Sequence, residues 1–360
     1  MNYSMTMHPE EYDTKGYSSR VSFMEHSHGV PLTTYQKVAD IVENDVIKHY
    51  GLTQSDFDFV NLKIKSQTEF LNSHYLFNSL THSKIFLSEF IVSSSHNADR
   101  YHALILNRVN TLNKIAKKEN LVPLFLTLTL PSRFHPKKQK SRYDKTLIDN
   151  PKYNGISIKE ANQILTKRFK KLRDDRAYRG SKKIYFRVVE PHQDGTPHTH
   201  ILLFVQKDRV EKMVEAFKRI YPSQTNKIET DIRSGVAYLM KYLNKTLPLS
   251  KRKNLSEKEK YLNAWYASNR IVRFSSSRTL APLKIYRLLY QKFDLLGLTY
   301  AVKNNQIEVI TDGETDKILK IIRDGELLYE KNRNIELRSI GTNYLKDNFS
   351  TENNSSLEVA

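Results

Sequence analysis

The sequence predicts an α+β protein built on a ferredoxin-like βαββαβ antiparallel sheet, preceded by a helical N-terminal region and followed by one further helix. Three patterns support this fold class. Leucine alternates with threonine from Leu124 to Leu130, as is typical of a strand. Two apolar runs, 184–189 and 201–205, flank an Asp194-Gly195 turn signal and predict a β-hairpin. Amphipathic segments before and after this hairpin predict the two helices of the repeat.

The first third of the chain is predicted to be a helical accessory region, residues 34–118, preceded by a disordered segment, residues 1–33. Apolar spacing predicts a helix from Thr34 to Tyr50, which the following glycine ends. A second helical segment spans residues 85–118, with an interruption at the serines 93–95. No pattern in this region indicates chemistry.

The predicted main domain covers residues 119–290 and begins with the Leu/Thr strand, which Pro131 ends. A basic loop, Pro136 to Arg142, follows the strand. Such a run is usually a solvated surface, and contact with phosphate groups is the alternative. A capping-box pattern, Ser157 with Glu160, then predicts the start of a helix with one apolar stripe.

The rest of this domain completes the repeat. Its predicted elements are the strands Ile184–Glu190 and Thr199–Val205, the helix Asp208–Tyr221, the strand Lys227–Ile232, and the helix Gly235–Lys245 capped by Ser234. This order predicts an antiparallel sheet in which the two hairpin strands are paired neighbours. It also predicts that the helices pack on one face of the sheet and leave the other face partly free.

The C-terminal part, residues 291–340, is predicted to be a small α/β extension. Residues 300–302 and 307–310 are predicted to form a hairpin around Asn304-Asn305. Residues 314–323 are predicted to form a short helix, and residues 341–360 a disordered tail.

Composition narrows the class of partner. The formal net charge is +19 and the sequence pI is about 9.7, which favours nucleic acid first and a membrane surface second. The chain has no cysteine, which excludes disulfides and thiolate zinc sites. It has no apolar run long enough for a membrane span and no apolar core of a signal peptide, so we expect a cytoplasmic protein without a membrane partner.

A candidate metal site lies on the predicted hairpin. Side chains on a strand repeat every two residues, so His198 and His200 are predicted to share one face. Glu190, at the end of the partner strand, would complete a three-ligand site with open positions. A chance His-x-His pair is the alternative, because the chain has 12 histidines and a second such pair at His26 and His28. The position of the pair after a glycine turn and opposite a carboxylate favours the metal site.

The helix after the sheet carries a second constellation. Tyr238, Lys241, Tyr242 and Lys245 repeat at helical spacing and are predicted to lie on one face. Core tyrosines are the alternative, since the chain has 21 of them, but lysines do not belong on a buried stripe. A phenol is a poor nucleophile at neutral pH unless a cation assists it. With a metal acting as Lewis acid on a phosphodiester, tyrosine attack would leave a phosphotyrosine and a free hydroxyl end.

These residues resemble the His-hydrophobe-His (HUH) endonucleases that initiate rolling-circle replication, and within them the phage replication gene A protein group. The blocks that carry the resemblance are residues 125–135, 190–200, 237–245 and 264–286. The resemblance implies an endonuclease that nicks single-stranded origin DNA and rejoins it, for a phage, plasmid or integrated element.

The resemblance also implies roles for individual residues. His198 and His200 would bind a divalent cation, Mg or Mn, and Tyr238 and Tyr242 would be the nucleophiles. Their charged helpers would be Lys241 and Lys245. Glu190 as third ligand is inferred from geometry, with His192 as its competitor. The remaining candidates, for contact with DNA, are Arg133, His135, Lys137 and Lys138.

Two other functions are consistent with the sequence. The same chemistry would serve an HUH transposase or relaxase, and a basic, aromatic-rich chain would serve as a non-catalytic single-stranded DNA-binding protein. Only the catalytic functions require the tyrosines and the metal. Because the sequence contains no helicase P-loop motif, we expect a host helicase and the host replication machinery as partners.

Overall fold

The computed structural model describes residues 46–179, 183–232, 235–247, 255–279, 281–289, 293–331 and 334–340. The predicted disordered segments, residues 1–33 and 341–360, and the predicted capping residue Ser234 lie outside the described residues. Most of the predicted helix from Thr34 also lies outside them. Its predicted end is wrong, because residues 46–48 are not helical and His49 instead forms a β-bridge with Leu52.

The elements of the described residues are numbered in chain order. The helices are α1 Gln54–Ser73, α2 Leu87–Phe90, α3 Ala98–Lys118, α4 Ile158–Arg173, α5 Val210–Ile220, α6 Gly235–Thr246, α7 Glu257–Ser268, α8 Leu283–Leu288 and α9 Leu295–Lys303. The strands are β1 His74–Asn78, β2 Lys84–Phe86, β3 Leu121–Leu128, β4 Lys137–Gln139, β5 Leu147–Asp149, β6 Ile184–Pro191, β7 Pro197–Gln206, β8 Lys227–Glu229, β9 Phe274–Ser276, β10 Ile307–Thr311, β11 Ile318–Arg323, β12 Glu326–Glu330 and β13 Ile335–Ser339.

The centre of the fold is a five-stranded antiparallel sheet in the order β8-β3-β7-β6-β9. The α+β class and the antiparallel sheet are therefore confirmed. The predicted hairpin is also confirmed, since β6 and β7 pair along their whole length from Ile184 with Phe204 to Pro191 with Pro197. Strand β9 adds an edge that the sequence analysis did not predict.

One face of this sheet is covered by α4 and α5, as predicted. Ser157 caps α4 by accepting a hydrogen bond from the Glu160 N–H, while the Glu160 carboxylate bonds back to Ser157. Leu165 and Phe169 of α4 are buried against strand residues such as Leu203. Burial of each such side chain contributes about 1.5–3 kcal/mol, so this layer is a true core.

The opposite face is not partly free, and that prediction is wrong. Helices α3 and α6 cover it and bury side chains such as Phe125, Phe186 and Leu202. The reason lies in α3, where Ile105, Val109, Leu112 and Ala116 recur at helical spacing and form one apolar stripe. A helix assigned to an accessory region thus completes the core that supports the main sheet.

Three further elements differ from the sequence prediction. The region 34–118 contains strands as well as helices, because β1 pairs with β2 and with the distant β13. The basic loop forms a short hairpin, β4 with β5. In the C-terminal part, residues 300–302 lie in α9 rather than in a strand, and the predicted helix 314–323 is largely strand β11. None of the described helices combines the length and the apolarity that crossing a bilayer requires.

Candidate active site

The β6–β7 hairpin brings three candidate metal ligands together. Its register places Glu190 opposite His198 and Val188 opposite His200. The Nε2 atoms of the two histidines lie 3.1 Å apart, and the Glu190 Oε2 lies 3.7 Å from His198 Nε2 and 3.5 Å from His200 Nε2. All three donor atoms lie within 4.8 Å of one another. The site is largely shielded from solvent, since the side chains are 12%, 15% and 7% exposed for Glu190, His198 and His200.

The donor set suits a divalent cation. Burial lowers the pKa of His198 well below its ordinary value, and repulsion from His192, His200 and Lys245 lowers it further. The imidazole is therefore neutral, which is the form that binds metals. Two imidazole nitrogens with one carboxylate leave coordination positions open for substrate. These residues fit the cation that the sequence analysis inferred.

Thr127 orients one of the two histidines. It lies directly opposite His200 in the β3–β7 register, and its Oγ1 lies 3.3 Å from His200 Nδ1. With the proton on Nδ1 donated to the hydroxyl, the lone pair of Nε2 points at the ligand cluster. Thr127 had no predicted role, although it belongs to the Leu/Thr strand, which pairs directly with the strand of His200.

His192 lies beside the cluster but is not one of its three donors. Its ring centroid lies 4.3 Å from that of His198 and 5.1 Å from that of His135. Burial lowers its pKa to about 4, with a further contribution from His135. The geometry favours Glu190 over His192 as third ligand.

The turn of the hairpin is held from several sides. His135 Nδ1 lies 3.0 Å from a carboxylate oxygen of Asp194, and the Thr196 N–H donates to the other oxygen. Gly195 has a φ of +86°, and a Cβ at this position would lie 2.3 Å from the carbonyl oxygen of Tyr50. Only glycine fits there. The fully buried Trp265 donates from Nε1 to the Gly195 carbonyl at 3.0 Å.

These contacts show that two residues stabilise the turn, a role that was not predicted for either of them. Trp265 is the only tryptophan of the chain and follows Ala264 at the start of the block 264–286 that carries the resemblance, but it was given no role of its own. His135 was a candidate for contact with DNA, but its Nδ1 faces Asp194 and its Nε2 lies 3.2 Å from the Leu130 carbonyl. In the structure, His135 therefore helps to hold the turn of the hairpin.

Helix α6 brings both tyrosines to the ligand cluster. The Tyr242 ring is stacked on the His200 ring with centroids 3.7 Å apart. Tyr238 meets Phe125 edge-on at 4.5 Å, and the two tyrosine rings lie 5.7 Å apart. Both are half-buried. The predicted proximity of phenols and metal ligands is thus present in the structure.

The environment keeps the Tyr242 phenol protonated. Burial raises its pKa above the ordinary value, and the hydrogen-bonded Tyr238 and the charge of Glu190 raise it further. Lys245 is the nearby cation, with its Nζ 5.3 Å from the Tyr242 ring centroid. Lys241 is exposed to solvent. The tyrosines therefore face the sheet while the lysines flank them from the solvent side, so the four side chains do not form one continuous face.

A contact from α3 fixes the same helix. His102 Nε2 lies 2.9 Å from Asn244 Oδ1, which connects α3 to the last turn of α6. Leu239 and Met240 of the same helix are buried against the core. The nucleophile candidates are held on an ordered element, as a precise site requires.

The other candidates for contact with DNA lie near the β4–β5 hairpin. Arg133 is exposed and its guanidinium lies 5.0 Å from the Phe134 ring centroid. Lys138 is also exposed, whereas Lys137 forms an ion pair with Asp149 at 2.6 Å. Arg133 and Lys138 are therefore accessible to a polyanion, and Lys137 is already paired.

Comparison with known proteins identifies relatives. The family model for bacteriophage replication gene A protein (GPA) matches residues 54–249. The replication protein of Haemophilus phage HP1 is 30% identical over 171 residues, which cover 44% of this chain and 21% of that protein. The replication gene A protein of Escherichia phage P2 is 31% identical over 165 residues, with the same coverages of 44% and 21%.

A third relative is a probable replication endonuclease from a prophage-like region of Salmonella typhi, 25% identical over 234 residues, which cover 58% of this chain and 28% of that protein. The matched part of this chain thus spans between 21% and 28% of the length of these relatives. No solved structure matches the chain. Since the family model covers more than half of its residues, the chain belongs to the bacteriophage replication gene A protein family.

Proposed function

We propose that this chain is a replication-initiation endonuclease that nicks single-stranded origin DNA through a phosphotyrosine intermediate and rejoins it, in rolling-circle replication of a phage, plasmid or integrated element. The observation that carries the proposal is the stacking of Tyr242 on His200 at 3.7 Å, which joins the phenols and the candidate ligands in one site. Relatives named replication gene A protein and replication endonuclease support it.

The topology supports an HUH-type fold. Taken in chain order, β3, β6, β7 and β8 are the four strands of the βαββαβ repeat. Their order in the sheet, β8-β3-β7-β6, is fourth, first, third, second, with every pair antiparallel. This is the arrangement expected of a ferredoxin-like repeat. The histidines then project from one of its two central strands, where their positions are rigid.

Glu190, His198 and His200 would hold a divalent cation such as Mg or Mn, which supplies positive charge that polarises a phosphodiester. The chain itself provides the nucleophile. A tyrosine Oη loses its proton and forms a bond to phosphorus, while the bond from phosphorus to the leaving 3′ oxygen breaks. That oxygen takes up a proton and becomes a free 3′ hydroxyl, and the 5′ phosphate stays on the tyrosine.

Because the pKa of Tyr242 is raised, the site must provide positive charge that favours loss of the phenol proton. In the cation-free protein the phenol retains its proton and is a weak nucleophile. Positive charge near the ring offsets the repulsion from Glu190, and Lys245 contributes part of that charge from 5.3 Å. Lys241 is exposed beside the helix and would neutralise phosphate charge on the bound strand.

The two tyrosines would act in turn. Their rings lie 5.7 Å apart and at 82° to each other, so both hydroxyls reach one site but not in line with the same phosphorus. We assign the first cut to Tyr242, because it lies against His200 and beneath Lys245. Tyr238 would then attack the next phosphodiester while Tyr242 still holds the first 5′ end. Rejoining is the reversal of this step by the free 3′ hydroxyl.

The test is covalent capture of DNA. Tyr238→Phe and Tyr242→Phe each remove one hydroxyl with little change in packing, and Tyr143→Phe, at a residue that is 91% exposed, is the matched control. Each protein is incubated with a labelled single-stranded origin oligonucleotide and Mn, then run on a denaturing gel. We expect the shifted band from the control and, weaker, from each single variant.

The double variant Tyr238→Phe/Tyr242→Phe should give no band. A band of wild-type intensity from the double variant would show that the nucleophile lies elsewhere. Absence of the band from wild-type protein, together with tight binding of the oligonucleotide, would instead favour a non-catalytic single-stranded DNA-binding protein.

A further inference from the structure

A basic cleft lies on the face of the sheet that α4 and α5 cover, opposite to the face that carries Tyr238 and Tyr242. Its volume is about 540 Å³, and it opens between the short turn Arg176–Tyr178 and helix α5. The charged residues that line it are the cations Arg176, Arg209, Lys212 and Arg219 and the carboxylates Asp175 and Glu215. Cations exceed carboxylates in a concave surface, where they act together on one ligand.

One of the two carboxylates that line the cleft is already neutralised. Asp175 forms an ion pair with Arg219 and accepts a hydrogen bond from the Ala177 N–H. Asp174, one residue earlier, is paired with Lys170 at 3.2 Å and lies 3.9 Å from Lys183. Glu215 also lines the cleft, and Arg209 Nε lies 3.7 Å from a carboxylate oxygen of Asp208. Arg176 and Lys212 thus outnumber the one lining carboxylate, Glu215, that has no ion pair among the described residues.

Two of the cations are available to a ligand. Arg176 and Lys212 are both exposed, and neither forms an ion pair with a carboxylate in the part of the chain that the structure describes. The preceding helix adds to the local charge, because the exposed Lys167 and Lys171 lie on α4 before this turn. Exposed lysines and arginines usually just contact water. Here they line a concave surface, which favours contact with a ligand.

The position of the cleft separates it from the cleavage site. The turn Arg176–Tyr178 contributes Ala177 and Tyr178 to the core beneath α4 and α5, whereas the tyrosines lie on the other face of the sheet. Along β7, the cleft follows Gln206 and the ligands begin at His198 and His200, so the two sites are about 20 Å apart at 3.3 Å per residue. The cleft therefore takes no part in the nicking chemistry.

The chemistry of its lining identifies the ligand. Single-stranded nucleic acid is bound by aromatic side chains on which the bases stack, and none of the described residues that line this cleft is aromatic. Guanidinium and ammonium groups alone read phosphate charge, which a duplex presents on its outer surface.

We propose that this cleft binds backbone phosphates of double-stranded DNA, through Arg176 and Lys212 with Arg209 beside them. The proposal rests on the proposed function only in that the substrate is DNA. It gives the protein two separate contacts with an origin: a single strand at the tyrosines and duplex DNA about 20 Å away at the opposite end of β7.

The test is the salt dependence of binding. The double variant Arg176→Gln/Lys212→Gln removes two unpaired surface charges without breaking an ion pair. The matched control Lys65→Gln/Lys114→Gln also removes two exposed positive charges, from α1 and α3. Fluorescence anisotropy measures the affinity of each variant for a duplex of about 30 base pairs over a range of salt concentrations. Thermal unfolding checks that each variant is folded.

Each phosphate contact contributes about 0.9 to the slope of log affinity against log salt for duplex DNA. We expect the slope of the cleft variant to fall by about 1.8 relative to wild type, and that of the control to stay unchanged. An unchanged slope in the cleft variant, or an equal fall in the control, would overturn the proposal. A fall seen with a short single strand but not with the duplex would overturn the assignment to duplex DNA.

Covalent capture of a short single strand, measured in parallel, keeps the two proposals apart. If the cleft variant retains capture and loses the duplex slope, both hold. If wild-type protein fails to capture the strand, the nicking function fails, whatever the duplex slope shows. If capture persists and the slope is unchanged, only the cleft proposal fails.

Discussion

The hydroxyl of Thr127 offers the sharpest test of the candidate metal site. Thr127→Val keeps the shape of the side chain but removes the Oγ1 that lies 3.3 Å from His200 Nδ1. A hydrogen bond of this kind contributes about 0.5–1.5 kcal/mol, and leaving the buried Nδ1–H without an acceptor costs about 1–3 kcal/mol. Part of that cost falls on the metal-bound state, because the ring can then turn its Nε2 away from Glu190. We expect affinity for Mn to fall by about 10–100-fold, as for other outer-shell contacts of metal ligands.

Thr129→Val is the matched control. Thr129 lies two residues further along, and its buried Oγ1 has no hydrogen-bond partner among the described residues. The same substitution there removes a hydroxyl that contributes no bond, so Mn affinity should not change and the fold should be as stable or more stable. Isothermal titration calorimetry with Mn measures both variants. Equal affinities for Thr127→Val and wild type would refute the role of Thr127, and an equal loss in both variants would show a general effect of the strand.

Three further predictions concern the ligands and the turn that holds them. His198→Ala or His200→Ala should abolish covalent capture of DNA in a protein that still folds, although loss of the buried His200 ring should lower the unfolding midpoint. DNA binding should stay largely intact, because phosphate contacts carry most of the affinity; capture by the double alanine variant would contradict the metal site. Gly195→Ala adds a backbone clash to left-handed strain and should cost about 2–5 kcal/mol of unfolding free energy, whereas Gly155→Ala, with a φ of +75° but open space, should cost about 1–2 kcal/mol in urea denaturation. Burial alone would raise the pKa of Asp194, but its hydrogen bonds hold the pKa below the ordinary value. The carboxylate therefore stabilises the fold above about pH 4, and this contribution is lost as the pH falls through the folded pKa. Asp194→Asn should flatten the acid side of a plot of unfolding midpoint against pH, and an unchanged acid side would contradict the assignment.

The parts of the site that sequence could predict are local. His198, His200 and Glu190 lie within one hairpin, whose turn, strand period and register are all encoded within 11 residues. Tyr238 and Tyr242 are separated by one helical turn, so their proximity needs no tertiary information. A strand period of two and a helical period of 3.6 were sufficient for both.

The parts that sequence missed depend on distant pairing. Strand β1 looked like part of a helical region because its partner β13 lies more than 250 residues away, Ser339 opposite His74. The predicted helix 314–323 is a strand because β11 is paired on both sides, with β10 and β12. Strand formation depends on cross-strand packing more than on local propensity. Thr127 and Trp265 were missed for the same reason, since their functional partners are 73 and 70 residues away.

The covering of the second sheet face also explains why the two constellations meet. Strand β7 continues from His200 into Leu202 and Phe204 on the same face. A helix that packs on these apolar residues therefore also lies next to the candidate ligands. Helix α6 does so, and it begins at Gly235, where a Cβ would lie 2.5 Å from a methyl group of Leu202. The absence of a side chain lets the first turn of α6 lie close to the sheet, and Tyr238 and Tyr242 follow one and two turns later. The apolar core beneath the helix therefore fixes the distance between the phenols and the candidate metal ligands.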